Sequence, residues 1–256
     1  MARSFDRYEL KYIISIEKAK RIMSELDQVT QPDEHCLNGA YRVDSLYYDS
    51  PDLSCFWDKV DGIRLRRKLR IRVYPVAGEC VREAVVEIKQ RINKRVQKRR
   101  IRLPLPEAED LCDGPHGPAN LNEQDQQVAA EVEYMVRTMQ LRPSCMTSYL
   151  RRAFIGGRYD TGLRMTFDTD LRCRVCMLKA GEDAINRLFA PPDKCIMEVK
   201  VDESVPGWVT GLLSRHDCHL QRISKYCSGL VSARGFAMLP LVAWSAETEK
   251  TNELHG

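Results

Sequence analysis

Residues 62–74 read Gly-Ile-Arg-Leu-Arg-Arg-Lys-Leu-Arg-Ile-Arg-Val-Tyr. Taken alternately, Arg64, Arg66, Lys68, Arg70 and Arg72 fall on one side. Ile63, Leu65, Leu69, Ile71 and Val73 fall on the other, with Arg67 alone out of place. Successive strand side chains point to opposite faces, so the stretch predicts a strand. One face of it is a row of cations with no acid among them. Like charges at that spacing repel, and the row needs a counter-charge from elsewhere. A single charged strand face is ordinarily just solvated, so the question is whether the rest of the chain encloses this one.

The whole molecule is nearly balanced, with 40 Lys and Arg against 36 Asp and Glu in 256 residues, formally +4. Its overall field therefore does not mark a nucleic-acid binder, and any anion preference must come from how charge is arranged. The length suffices for a substantial core. No run approaches the roughly 20 apolar residues that cross a bilayer. Met1–Lys11 is charged and enters a strand pattern at once, which predicts no signal peptide. The ten cysteines are mostly scattered singly (Cys36, Cys55, Cys80, Cys145), as expected of reduced thiols in a cytoplasmic protein.

Further strands are expected at Arg7–Ile16, Tyr41–Asp49, Glu83–Arg91, Val96–Leu103, Cys145–Ile155, Leu163–Arg172 (with Cys173–Leu178 continuing or pairing with it) and Cys195–Asp202. Ile92-Asn93-Lys94 is a plausible turn without the glycine of a strong hairpin signal. Helices are expected at Glu17–Gln28 behind a Ser15 cap, around Glu107–Cys112, at Asn122–Met139, Gly207–Arg215 and Ser224–Gly235. Nothing alternates as β-α units, so a parallel doubly wound sheet is excluded. The expected class is α+β: an antiparallel eight-stranded β barrel or strongly curled sheet with peripheral helices. Residues 1–240 are expected to form one domain, since strands of one character flank the Gly/Pro-rich stretch near 114–122, and 241–256 are expected to form a disordered polar tail.

Amphipathic charged strands recur along the chain, and their apolar faces can pack outward against helices. The charged faces then converge inside a barrel, where about eight strands enclose room for side chains or one slim ligand. Glu9-Leu-Lys11, Glu87-Ile-Lys89 and Glu198-Val-Lys200 repeat one triplet, and each puts acid and base on one strand face. The candidate lumen holds the cations Lys11, Arg70, Arg72, Lys89, Lys98, Arg100, Arg151, Arg164, Lys200 and Lys225. Its acids are Glu9, Glu87, Asp168 and Glu198, too few to balance them. Enclosed charges must be paired. Arginine forks suit phosphate oxygens, lysines act as point charges, and carboxylates with phosphates suit Mg²⁺ or Mn²⁺. The inferred ligand is a linear tri- or polyphosphate with a divalent metal, and phosphoryl transfer needs mainly positioning and charge neutralisation.

In chain order, Arg-Tyr-Glu-Leu-Lys-Tyr, Lys-Leu-Arg-Ile-Arg-Val-Tyr, Val-Val-Glu-Ile-Lys, Ser-Tyr-Leu-Arg-Arg-Ala-Phe, Leu-Arg-Met-Thr-Phe-Asp-Thr-Asp-Leu, Ile-Met-Glu-Val-Lys and Ser-Lys-Tyr together resemble the VTC domain. This is the catalytic domain of the vacuolar transporter chaperone complex, within the triphosphate tunnel metalloenzyme (CYTH-like) superfamily. The resemblance runs from about Arg7 to Gly235. It implies a tunnel barrel and an ATP-dependent polyphosphate polymerase, with ATP and inorganic polyphosphate or pyrophosphate as ligands. By resemblance Lys11, Arg70, Arg72, Lys89, Arg151, Arg164, Lys200 and Lys225 grip phosphates, and Glu198 binds Mn²⁺ or Mg²⁺. Glu9 and Glu87 position lysines, and Lys98 and Arg100 line the exit. The triphosphatase branch carries Glu-x-Glu-x-Lys where this chain has Arg7 at the first acid, a departure that favours the polymerase branch without excluding hydrolysis. A non-catalytic polyphosphate-binding module is the third reading. Members of the family act beside membrane proteins that carry the polymer, so a membrane-protein partner is implied for export.

Other candidate sites are weak. Cys173-Arg-Val-Cys176 on a strand sends its thiols to opposite faces, and His216-Asp-Cys218-His219 is too closely spaced for a metal. No phosphate-binding glycine loop is present, and the aromatics do not interleave with the basic residues as a base-stacking platform would.

Overall fold

The computed structural model describes residues 8–33, 36, 39–93, 95–114, 117–118 and 120–235. Arg7, Lys94 and the 241–256 tail lie outside the described residues. The elements run β1 (Tyr8–Ser15), α1 (Ile16–Leu26), β2 (Thr30–Pro32), β3 (Tyr41–Asp49), α2 (Ser54–Val60), β4 (Leu65–Val73), β5 (Glu83–Ile92), β6 (Arg95–Pro104), α3 (Leu105–Asp113) and α4 (Glu123–Met139). They continue with β7 (Arg142–Gly156), β8 (Arg164–Arg174), β9 (Arg187–Leu188), β10 (Lys194–Val201), α5 (Gly207–Arg215) and α6 (Lys225–Arg234).

Eight strands form one antiparallel path, β1-β10-β8-β7-β3-β4-β5-β6, with β2 added to β7 and β9 to β8. The path curls until its edges meet: β6 approaches β1, and Lys89 on β5 reaches Glu9 on β1 with Nζ–Oε2 at 2.9 Å. Among the described residues no backbone ladder joins β1 to β6, so side chains close the barrel there.

The apolar strand faces point outward, as the alternation predicts. Leu69, Ile71, Val86, Ile88, Ile101 and Leu103 bury against Leu111, Val128, Val132 and Met135 of α3 and α4. Met165, Phe167, Met197 and Val199 bury against Ala19, Ile22, Val209 and Leu212 of α1 and α5. Both long helices start on side-chain caps. Ser15 Oγ accepts from the Lys18 amide at 3.1 Å and Asn122 Oδ1 from the Asp125 amide at 2.9 Å, which satisfies donors the helix itself cannot. The β5–β6 turn needs no glycine because Asn93 takes the left-handed conformation, φ 55°, which asparagine tolerates.

Two features differ from the sequence expectation. The interior is not charged throughout. Val43, Tyr47, Cys145, Leu171, Cys173 and Ile196 share the inner faces and pack with Phe56 of α2 and Tyr226, Cys227 and Leu230 of α6, plugging part of the barrel. The alternation of β8 also breaks. Asp170 sits at φ 49°, and the β7–β8 register shifts there, from Ser148 opposite Arg172 to Leu150 opposite Thr169. The extra residue turns Leu171 and Cys173 inward. Asp170 and Arg172 do not share the face of Asp168 as expected; they pair with each other at 2.8 Å and line an outer hollow with Arg42 and Asp183.

Arg174, at the end of β8, is buried. It donates to the Met177, Lys179 and Glu182 carbonyls and to Asn186 Oδ1 at 3.0–3.2 Å, pinning the 175–186 loop. Arg174→Ala orphans these acceptors and is expected to lower stability by about 2 kcal/mol. The loss would show as a lower melting temperature and faster proteolysis within that loop.

Candidate active site

Each acid proposed for the lumen has a largely buried side chain bound to at least one cation. Glu198 on β10 stands opposite Lys11 of β1 and meets Lys11 Nζ at 3.3 Å, Lys200 Nζ at 2.8 Å and Lys225 Nζ at 2.8 Å. Lys225, the first residue of α6, also meets Asp168 Oδ2 at 2.6 Å. Asp168 accepts both arms of the Arg151 guanidinium at 2.7 Å from the neighbouring strand. Glu9 holds Lys11 at 3.0 Å and Lys89. Glu87 on β5 holds Arg70, its opposite residue on β4. Arg70 also donates to Tyr47 Oη at 2.9 Å.

One network thus joins Lys11, Lys89, Arg151, Lys200 and Lys225 with Glu9, Asp168 and Glu198, and the Arg70–Glu87 pair stands beside it. Burial raises the carboxyl pKa values, but the facing cations outweigh it and hold all four below the usual range. All four acids are therefore ionised at neutral pH.

Four predicted residues stand apart from those pairs. Arg72 shares the inner face, but its bonds go to hydroxyls, Ser45 Oγ at 3.1 Å and Tyr149 Oη at 3.4 Å. Lys98 faces inward opposite Lys89 and, among the described residues, has no carboxylate in ion-pair range; burial lowers its pKa to about 7. Arg164 lies toward one rim, half-buried, with Nη2 at 2.8 Å from Asp33 Oδ2. Arg100, opposite Glu87, is exposed.

Other inner residues were not among the candidates for the lumen. Lys68 reaches α6, with Nζ at 3.3 Å from Ser224 Oγ and 3.4 Å from Cys227 Sγ. It belongs to the same alternating row as Arg70 and Arg72. Tyr149 shares the face of Arg151 two residues on, and Lys225 Nζ stands 5.0 Å over its ring. Asp33 carries no periodic signal, because it follows the three-residue β2. The buried Asp49 takes the Ser50, Cys55 and Phe56 amides at the start of α2 and the Tyr226 hydroxyl of α6. It thereby fixes the helix that presents Lys225.

Tyrosines and arginines nevertheless meet inside the barrel. Tyr47 and Tyr149 hydroxyls receive Arg70 and Arg72, and Tyr41 Oη receives Arg164 at 3.3 Å. Alternation along single strands hid it, because the rings and guanidinium groups come from neighbouring strands.

The donor set can be tested against a divalent ion. Such ions acting on phosphates use one or two carboxylates together with phosphate oxygens. Among the described residues no group of three His, Cys, Asp or Glu side chains could hold a metal, so these residues build no cage of their own. Glu198 and Glu9, both in contact with Lys11, fit an ion that arrives on a phosphate chain. The buried Arg70 Nε and Thr166 Oγ1 have no partner within the described protein and fit phosphate oxygens.

A curled antiparallel sheet with a cationic interior defines the triphosphate tunnel class of fold. The chain belongs to the VTC domain family, whose model matches residues 6–234. A candidate adenylate cyclase from Bacillus halodurans superposes with a TM-score of 0.50 at 13% identity, covering 88% of this chain and 96% of that one. An adenylyl cyclase candidate from Hippeastrum, found to have a dominant triphosphatase activity, gives 0.48 at 12% identity, covering 92% and 98%. No curated protein matches the sequence significantly.

Proposed function

We propose that this protein is a polyphosphate polymerase that transfers the γ-phosphate of ATP to a growing inorganic polyphosphate chain within the barrel. The observation that carries the reading is a lumen whose cations exceed its acids. Arg72 and Lys98 have no carboxylate partner among the described residues, and each of the four acids is already engaged by at least one other cation. Such an interior favours a polyanion that takes over the missing counter-charge. Arg70, Arg72 and Arg151 would supply fork contacts to phosphate oxygens, and Lys11, Lys89, Lys200 and Lys225 point charges around them. Arg164 and Lys98 would extend the grip toward the openings, and the exposed Arg100 would meet the polymer at the exit. The Asp49–Tyr226 bond would keep Lys225 aimed inward. Glu198, with Glu9, would hold a Mn²⁺ or Mg²⁺ ion, which when bound neutralises phosphate charge. A membrane-protein partner would carry the polymer away. Among the described residues no helix is long and apolar enough to cross a membrane.

Incubation with ATP and Mn²⁺ tests the activity. Long acid-insoluble polyphosphate supports polymerisation, whereas orthophosphate alone makes the protein a triphosphatase. Glu198→Gln is expected to abolish turnover yet leave metal-free tripolyphosphate binding within about threefold, because the lysines around it remain. Undiminished turnover in this variant would remove Glu198 as the metal ligand.

Affinity should also depend on pH. Burial lowers the pKa of Lys98 to about 7 and of Lys200 to about 8, so both lose charge as pH rises through that range. Tripolyphosphate binding measured by calorimetry is therefore expected to weaken from about pH 6 to about pH 9. Lys98→Gln should flatten the lower part of the fall.

A further inference from the structure

The inward row on β4 does not end in a cation. Just past the end of β4 comes Tyr74, two residues beyond Arg72, and its contact with Tyr41 of β3 puts it on the same side. Its ring lies 6.0 Å from that of Tyr41, tilted by 54°. Tyr41 stands opposite Arg151 in the β3–β7 ladder and is tied to Arg164 through its hydroxyl. Arg164 is itself held by Asp33. Two rings therefore stand at one rim of the lumen, next to Arg72, Arg151 and Arg164. One is half-buried and anchored; the other, Tyr74, is 46% exposed.

A phosphate chain has no use for an aromatic face. A nucleobase does, and rings beside guanidinium groups form a platform on which any base can stack. We propose that Tyr41 and Tyr74 form the subsite for the base of a nucleoside triphosphate whose phosphates lie in the lumen. The assignment rests on the proposed function only in placing phosphates there. It makes the Tyr74 end the side on which the nucleotide enters, with its γ-phosphate leading inward. Because the contact is stacking, discrimination among bases is weak and purines are favoured by their larger surface. Inorganic polyphosphate, which has no base, gains nothing from this rim, so the subsite distinguishes donor from product.

The test compares two ligands on three proteins. Calorimetric Kd values for ATP and for inorganic tripolyphosphate are measured on the wild type, Tyr74→Ala and Tyr74→Phe, with a thermal melt on each to show that the variants are folded. The expected result is that Tyr74→Ala weakens ATP relative to tripolyphosphate by about tenfold, the size of one base–aromatic stack, and that Tyr74→Phe restores the ratio. If the wild type binds tripolyphosphate but Tyr74→Ala shifts both ligands equally, or neither, the base subsite is overturned and the phosphate lumen stands. A wild type that binds neither ligand overturns the lumen and the subsite together.

Discussion

Arg72→Ala is expected to cut ATP turnover by about a hundredfold or more while leaving the melting temperature unchanged or raised. Its guanidinium is bonded to the Ser45 and Tyr149 hydroxyls and, among the described residues, to no carboxylate. Removing it therefore takes away a desolvated charge without stranding an acid. What is lost is a fork contact to the ligand. Arg70→Ala should behave differently. It strips Glu87 of the guanidinium that compensates it, so activity and stability fall together. Steady-state kinetics and thermal melts on the two variants separate the roles. Full activity in Arg72→Ala would mean that the inner face of β4 does not touch substrate.

The largest effect on folding is expected at Asp168. Its carboxylate has no exposed surface, takes both arms of Arg151, and holds Lys225. Asp168→Ala leaves two buried cations short of a counter-charge, at a cost of about 3–5 kcal/mol. The same network sets the response to acid. Arg151 and Lys225 hold the Asp168 carboxyl below its ordinary pKa against the opposing effect of burial. Its contribution is then present above the unfolded-state value, about 4, and is lost as pH falls through the folded-state value. Urea midpoints should therefore drop steeply below about pH 4 in the wild type. Asp168→Asn starts lower and should respond less. A midpoint in Asp168→Ala equal to that of the wild type would contradict the buried pairing.

Most of the barrel was legible because its strands are long enough for a period of two to declare itself. The boundaries of Tyr41–Asp49 and Gly207–Arg215 were read to the residue, and the rest to within a few. The three-residue β2 and two-residue β9 are too short to carry a period. The flaw at Asp170 needed knowledge of its backbone angle: a left-handed residue flips every side chain after it, and aspartate tolerates that conformation without announcing it. Inner residues on alternating strands, such as Lys11, Arg70 and Lys200, were visible from spacing alone. The partners that β2 and the helices bring in were not. Asp33 acts from the loop after β2 and Asp49 from the last residue of β3, and neither role follows from a strand pattern. The aromatic company of the arginines is likewise a cross-strand property, fixed by register and not by neighbours in sequence.

The central claim is that the barrel interior grips a phosphate chain. Titration calorimetry of inorganic tripolyphosphate into the wild type and Arg72→Ala, at two salt concentrations, tests it most directly. The account predicts binding to the wild type that weakens steeply with salt, and loss of about tenfold or more in a variant that remains folded. Binding that ignores both the salt and the substitution, or no binding to the wild type at all, would contradict it.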